Sequence, residues 1–446
     1  MYQWILVGIS SLIMFFVAPK AVSSADFFKG QRKDQSPNFL ILTSSLVISW
    51  LFAKSITNAA NLGMSFGMVG GLAYAAYYFS FIVAGITIYR IRVKGGFKSI
   101  HHFLETKFGK AALIIFSALI AFRLFNEIWS NTLVIGSYFG EVGSVMYYAA
   151  ILIFTGLTLL YSMKGGMSSS LMTDLIQMIF FGILITVILS IIIPKVDGGV
   201  PALITSGEWK WSMGGNLLLV AFVQTLSYPF HDPVMTDRGF LSDAKTTLKS
   251  FMWAGVIGAG CIILFSWVGI YGKMEGLEGQ APVEVSKVLG IGMMLMVNFI
   301  MITSAASTLD STFSSFSKLA ILDLKILKKA TVFNGRMVMS VLTILGTIPV
   351  FMNMEILSAT TISGTMVIGL APVFMFWNRK LPPISFYLSI GTGLIFGFIL
   401  VFDLFPKEWL FTDGKYAELL TINVYGTLSC FAVFFIPGLL VNGKDK

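Results

Sequence analysis

The chain has 446 residues, of which 56% are hydrophobic and only 12% charged, and its mean hydropathy is +0.83. That balance excludes a soluble domain of this length and makes the chain a polytopic membrane protein. Its two cysteines (Cys261, Cys430) lie in apolar runs and its three histidines (His101, His102, His231) are scattered, which excludes a disulfide framework, a cysteine zinc site and an imidazole metal cluster.

Windows of about 20 residues, the length needed to cross a bilayer as helix, predict thirteen spans. They fall near 2–18, 39–62, 66–90, 111–138, 145–162, 167–193, 215–230, 250–272, 288–322, 331–352, 356–377, 383–402 and 421–441. The first span lacks the basic start and the small-residue cleavage site of a signal peptide, so it is read as a helix of the protein. Lysines and arginines gather in alternate loops. Lys20, Lys29, Arg32 and Lys33 follow span one; Arg90, Arg92, Lys94, Lys98, Lys107 and Lys110 follow span three. Arg238, Lys245 and Lys249 follow span seven, Lys325, Lys328 and Lys329 span nine, Arg379 and Lys380 span eleven, and Lys444 and Lys446 end the chain. With thirteen spans all these loops share one side, expected to be cytoplasmic, with the N-terminus outside a plasma (inner) membrane. The net charge of +9 is then a matter of topology. The basic loops lack interleaved aromatics, and no nucleic-acid partner is expected.

Three spans carry polar groups at depth. Span two reads Ser49 to Gly63 with Lys54, Ser55, Thr57, Asn58 and Asn61. Such density suggests a broken helix lining a cavity; a continuous helix with Lys54 paired to a carboxylate is the simpler alternative. Span four holds Arg123, Asn126 and Glu127. Arg123 and Glu127 stand at i, i+4, so they either neutralise each other or meet a substrate. Span seven closes on His231-Asp232, read as a hydrogen-bonded pair at a helix end near the interface, with a proton relay or inner gate as the alternative. Span nine contains Ser304, Ser307, Thr308 and Ser311 at i, i+3, i+4 and i+7, one face of a helix. Hydroxyls of that kind serve either as helix–helix glue or as an ion pathway. Asp310, on a neighbouring face about one turn below Ser307, favours the ion site, because an ionisable group is costly in a bilayer. The 23 methionines imply packing and no cofactor.

Five segments in order resemble the sodium:solute symporter family, whose members carry proline, sugars, sialic acid, pantothenate or urea. They are Asp26-Phe27-Phe28-Lys29-Gly30-Gln31-Arg32; Phe97 to Gly109, ending Phe103-Leu104-Glu105-Thr106-Lys107-Phe108-Gly109; and Gly165-Gly166 followed by Thr173-Asp174-Leu175-Ile176-Gln177. The fourth is Asp237-Arg238-Gly239-Phe240-Leu241 with Ala244-Lys245, where Asp237 stands in place of the usual Gln. The fifth runs from Gly369-Leu370-Ala371-Pro372 to Trp377.

The resemblance implies an all-α, LeuT-like fold with a core of two inverted five-helix repeats. The first repeat would run over 39–194 and the second over 195–380, with a peripheral helix and loop in 1–38 and two peripheral helices in 381–446. It implies that spans two and seven are broken, and Pro229 beside Gln224, Thr225, Ser227 and Tyr228 agrees. By the same resemblance one sodium site uses the carbonyls of Ile48, Leu51 and Ser304 and the hydroxyls of Ser307 and Thr308, a neutral oxygen cage suited to a hard cation. A second cation site would join Asp174, Asp310 and Ser311. Substrate candidates are Lys54, Ser55, Asn58, Arg123 and Glu127. Lys54 is the main departure from the family: it could bind an anionic solute, pair with Glu127, or act as a tethered cation. A desolvated lysine can also exchange a proton, which leaves proton coupling open.

The expected function is sodium-coupled symport of a small polar solute, with a carboxylate-bearing one favoured, and Na+ as coupling ion. H+ coupling or uncoupled transport on the same fold is one alternative. A membrane sensor is another, although the tail from Asn442 to Lys446 supplies no output domain. No residues have the spacing of a hydrolytic or metal-dependent active site, so an enzyme is not expected. Monomer and homo-oligomer both stay open.

Overall fold

The computed structural model describes residues 2–32, 35–352 and 364–442. Nine described helices are long and apolar enough to cross a membrane, and a tenth crossing is made by a bent pair. The main helices in chain order are α1 (Tyr2–Val17), the bent pair α2 (Phe39–Trp50) and α3 (Ala53–Phe66), α4 (Met68–Val93), the short α5 (Ile100–Phe108), α6 (Lys110–Ser137), α7 (Val145–Gly165) and α8 (Met167–Ile192). The second half continues with α9 (Gly215–Gln224), α10 (Pro233–Arg238), α11 (Ala244–Met274), α12 (Ala281–Leu289), α13 (Ile291–Asp323, its last turn a π-helix) and α14 (Val332–Met352). The last elements are α15 (Leu370–Met375), α16 (Ile384–Val401) and α17 (Ala417–Asn442). Two of these, α1 and α9, are apolar but shorter than a full crossing. The expected eleventh span lies partly outside the described residues, as do Lys33, Lys444, Lys446 and the rest of the tail after Asn442.

The alternate basic loops meet at one end of the bundle. Arg92, after α4, donates to the carbonyls of Gly239 (2.8 Å) and Ser242 (2.6 Å), after α10. Ser24, after α1, donates to the Ala330 carbonyl (2.5 Å) after α13, and Lys107 on α5 reaches the Arg379 carbonyl at 3.4 Å. The Gly165-Gly166 pair has a steric role at this end. Gly166 takes φ +58, and a Cβ there would lie 2.4 Å from the Phe27 carbonyl oxygen, so the turn between α7 and α8 can receive the loop after α1 only if it is side-chain-free.

Both breaks are present. The first bends the chain by 61° between α2 and α3. It falls at Leu51-Phe52, before the polar run and not within it, and no proline is near. Leu51 leaves helical geometry at φ −83, ψ 49, and Phe52 is extended at φ −76, ψ 161. The Trp50 carbonyl is taken by the Tyr78 hydroxyl at 2.8 Å, so a neighbouring helix supplies what the ladder loses. The second break has a local cause. Pro229 lies in a 3-10 turn over Tyr228–His231 and Pro233 opens α10, so two N–H donors are missing. Asp232 caps the new helix by accepting from the Met235 N–H at 3.1 Å.

The half-helix α3 packs on α11 almost backbone to backbone. A Cβ on Gly269 would sit 1.7 Å from the Ala60 carbonyl oxygen, and one on Gly63 2.3 Å from that of Ser266. Close approach through small residues is how helices associate in lipid. Gly269→Val is therefore expected to cost at least the roughly 1–3 kcal/mol of an overpacked core. A fall in melting temperature and loss of a monodisperse peak in detergent would register it; an unchanged melting curve would contradict this packing.

Candidate functional site

Four charged side chains meet between the two breaks, although they come from three separate segments. Lys54, at the start of α3, places Nζ 3.3 and 3.2 Å from the two Glu127 carboxylate oxygens and 3.5 Å from Ser130 Oγ. Glu127 also accepts from Asn131 Nδ2 at 2.9 Å. Arg123, one turn before Glu127 on α6, lies 3.6 Å from it but turns mainly to Asp232, at 2.7 Å. Its other terminal nitrogen donates to the Tyr228 hydroxyl at 3.0 Å and lies 3.1 Å from His231 Nε2. Trp50 Nε1 donates to Asp232 at 3.2 Å. The i, i+4 pair is thus the weaker half of the arrangement, because Arg123 has a nearer carboxylate across the break. His231 and Asp232 are 1% and 3% exposed and both contact Arg123 rather than each other, which corrects the reading of a mutually hydrogen-bonded pair at an exposed helix end.

A second cluster lies closer to the basic-loop end. Arg238, counted in the sequence as a loop charge, is fully buried at the end of α10. Its guanidinium donates to Asp174 at 3.2 Å, Ser170 at 3.1 Å, Ser311 at 2.9 Å, and Ser45. Asp174 also accepts from Ser45 and, at 2.7 Å, from Ser307. Asp310 is equally buried and, among the described residues, accepts from hydroxyls: Thr173 at 2.7 Å, Ser170 at 3.0 Å and Ser311 at 3.4 Å. Asp174, Asp310 and Ser311 are therefore together, with an arginine among them that spacing alone did not reveal. The signal available was three charges within seven residues, Asp232, Asp237 and Arg238, around two closely spaced prolines, Pro229 and Pro233.

Ile48 and Leu51 flank the first break, and among the described residues no backbone N–H closes on either carbonyl there. Ser307 Oγ is engaged with Asp174, and Thr308 Oγ1 donates to the Ser304 carbonyl at 3.0 Å. The Ser304 hydroxyl and one terminal nitrogen of Arg238 are buried without a hydrogen-bond partner among the described residues. Between the clusters is a cavity of about 20 Å³, room for about one water-sized particle. Ser49, Phe52, Arg123, Glu127, Asp232 and Thr308 are among its walls. Of the other substrate candidates, Ser55 is buried and accepts from the Tyr74 hydroxyl at 3.2 Å, whereas Asn58 is exposed and apart from the charges. A larger, mostly apolar cleft of about 330 Å³ at Phe39, Trp253 and Lys249 touches none of the buried charges.

A third cluster closes the basic-loop end. Lys318 on α13 pairs with Asp237 on α10 and with Asp323 at 3.2 Å, and His101 of α5 faces Asp323 at 3.7 Å. Burial pushes the His101 imidazole down, opposed by Asp323 and reinforced by Lys318.

No family model matches the chain. Among solved structures it is similar to a Na+-coupled sialic acid symporter in a substrate-bound, outward-open state: 14% identity, 99% of this chain and 98% of that one covered, TM-score 0.71. It is also similar to Mhp1, a nucleobase-cation-symport-1 family transporter, in a closed conformation with bromovinylhydantoin bound (11%, 95% and 96%, 0.61), and to inward-facing Mhp1 (11%, 92% and 93%, 0.58). The chain has the all-α, LeuT-like fold of these transporters, as the sequence resemblance implied.

Removing one partner of a buried ion pair strands the other charge, at about 3–5 kcal/mol. Arg238→Met is expected to destabilise the protein by about that much, Asp174→Asn by less because Asp310 is left to balance Arg238 through Ser170, and the double variant by less than the sum of the two. Thermal unfolding of the three variants gives the coupling; strict additivity would mean that the pair does not interact.

The sign for His101 follows from its lowered pKa. Stability from a neutral imidazole is complete above the ordinary histidine value of about 6.5 and is lost as pH falls below it. A melting temperature that drops between about pH 7 and pH 5, with the drop reduced in His101→Gln, is the expected result; identical pH profiles would remove His101 from this role.

Proposed function

We propose that the chain is a secondary active transporter that couples inward symport of a small polar, carboxylate-bearing solute to sodium. The fold shared with two transporters supports transport. The observation that carries cation coupling is a charge count. With carboxylates ionised, the inner cluster holds, among the described residues, Asp174, Asp310 and a single arginine, and so lacks one positive charge among buried groups. A buried charge without a partner is costly, and a monovalent cation supplies what is missing.

On this reading the first sodium site is built from the Ile48, Leu51 and Ser304 carbonyls and the Ser307 and Thr308 hydroxyls. A second cation position lies at Asp310, Ser311 and Asp174. The repeats are taken as 39–194 and 195–380, flanked by peripheral segments 1–38 and 381–446, with the N-terminus outside and the basic loops cytoplasmic. Ser307 ties the two sites, because its oxygen is a ligand candidate for one and a donor to Asp174 in the other. An ion there would brace α2 against α13 and leave the solute site between the breaks ready to close.

A specific observation favours a second reading. Among the described residues Asp310 accepts from hydroxyls alone, and a proton on it would also cancel the deficit, giving proton coupling on the same fold.

Thermal stability of the purified protein in sodium, against potassium and choline at equal ionic strength, separates the two. Sodium-specific stabilisation that is lost in Ser307→Ala and Asp310→Asn is the expected outcome. If sodium has no effect and Asp310→Asn instead removes a pH dependence of stability, the proton reading replaces it.

A further inference from the structure

We infer that the solute carried by this site is a small zwitterion, an amino-acid-like or betaine-like molecule bearing one ammonium and one carboxylate. The inference rests on the transporter reading above and concerns the charges between the two breaks.

Those charges cancel among themselves. Lys54 and Arg123 face Glu127 and Asp232, two of each sign. The deficit that calls for a cation belongs to the inner cluster and is met there, so the outer cluster has no charge to offer a solute with a net charge.

The two pairs are not equally fixed. Arg123–Asp232 is 2.7 Å long and held from several sides, by Trp50 Nε1, the Tyr228 hydroxyl, His231 and the Met235 N–H. Lys54 has only Glu127 and a distant Ser130, with its ammonium 4.9 Å above the Phe52 ring. Its flexible stem can swing where a guanidinium fork cannot. The Lys54–Glu127 pair is also the more accessible, at 13% and 10% against 6% and 4%. This is the bridge that a solute can part.

What parts it must satisfy both ends. An anion taken by Lys54 leaves Glu127 with the Asn131 amide and a guanidinium 3.6 Å away that is committed to Asp232. A cation taken by Glu127 leaves the Lys54 ammonium with one hydroxyl at 3.5 Å. Each case buries an unpaired charge. A neutral sugar breaks the bridge and repairs neither end. A zwitterion places its carboxylate on Lys54 and its ammonium on Glu127, so both charges are paired again and the total is unchanged. In the absence of solute, the lysine and the glutamate hold each other in the same polarity that the solute would present.

The test is ligand-induced thermal stabilisation of the full chain in saturating sodium. L-Alanine, L-proline and glycine betaine are compared with propionate, propylamine and D-glucose. The expected result is stabilisation by at least one zwitterion at concentrations about tenfold or more below those at which the single-charge compounds or glucose act. Lys54→Met and Glu127→Gln should each weaken that binding by roughly a hundredfold. If either fails to fold, the double variant, which removes both charges together, keeps the site neutral and should still not bind the zwitterion. Stabilisation by propionate, propylamine or glucose equal to that by the zwitterions, or none by any zwitterion, overturns the inference. So does zwitterion binding that survives in the double variant. Sodium-specific stabilisation measured without solute separates the failures: if it persists, the transporter reading stands and only the zwitterion falls.

Discussion

A seven-residue stretch, Asp232 to Arg238, ties this molecule together. Each of its three charges is paired with a different membrane helix: Asp232 with Arg123 on α6, Asp237 with Lys318 on α13, and Arg238 with Asp174 on α8. Charges in a bilayer are tolerated only when satisfied by protein, so the position of this short helix is dictated by three partners at once. Pro229 and Pro233 make it possible by ending the preceding helix and restarting the chain in a new direction.

The two breaks are complementary in cause. At the second, prolines remove donors, and the chain would leave helical geometry in any surroundings. At the first, Leu51 and Phe52 are held out of helical geometry by their surroundings, with the Tyr78 hydroxyl on the Trp50 carbonyl. One half of the site is bent by its own sequence and the other by its neighbours. Trp50 joins them, since its carbonyl is tied at the first break while its indole N–H reaches Asp232 at the second.

The buried charges divide into groups with different totals. The outer group is balanced, the inner group lacks one positive charge, and the group at the basic-loop end sets Lys318 against Asp237 and Asp323. In a medium that screens poorly, such totals matter more than single contacts. On the proposed transport reading they would set the cation at one level of the protein and the solute at another; Ser49, Thr308 and Ser311 line the narrow cavity between the two groups.

Much of this was legible in the chain. Apolar runs of bilayer length are a local property, so most of the spans could be read directly, although thirteen were expected and the described residues hold nine helices of crossing length and one bent pair; the hydroxyl stripe on α13 follows from helical periodicity. The alternation of basic loops placed them at one end, where Arg92 and Gly239 do meet. What could not be read was the destination of individual long side chains. Arg238 looks like a loop charge because it follows a span, yet it is buried against Asp174 and Ser311 from two other helices. Arg123 has a carboxylate one turn away on its own helix, yet its nearer partner is Asp232, more than a hundred residues further along the chain. Periodicity reports which residues share a face of one helix; which charges meet across helices is decided by how the helices pack, and that is a property of the tertiary structure alone.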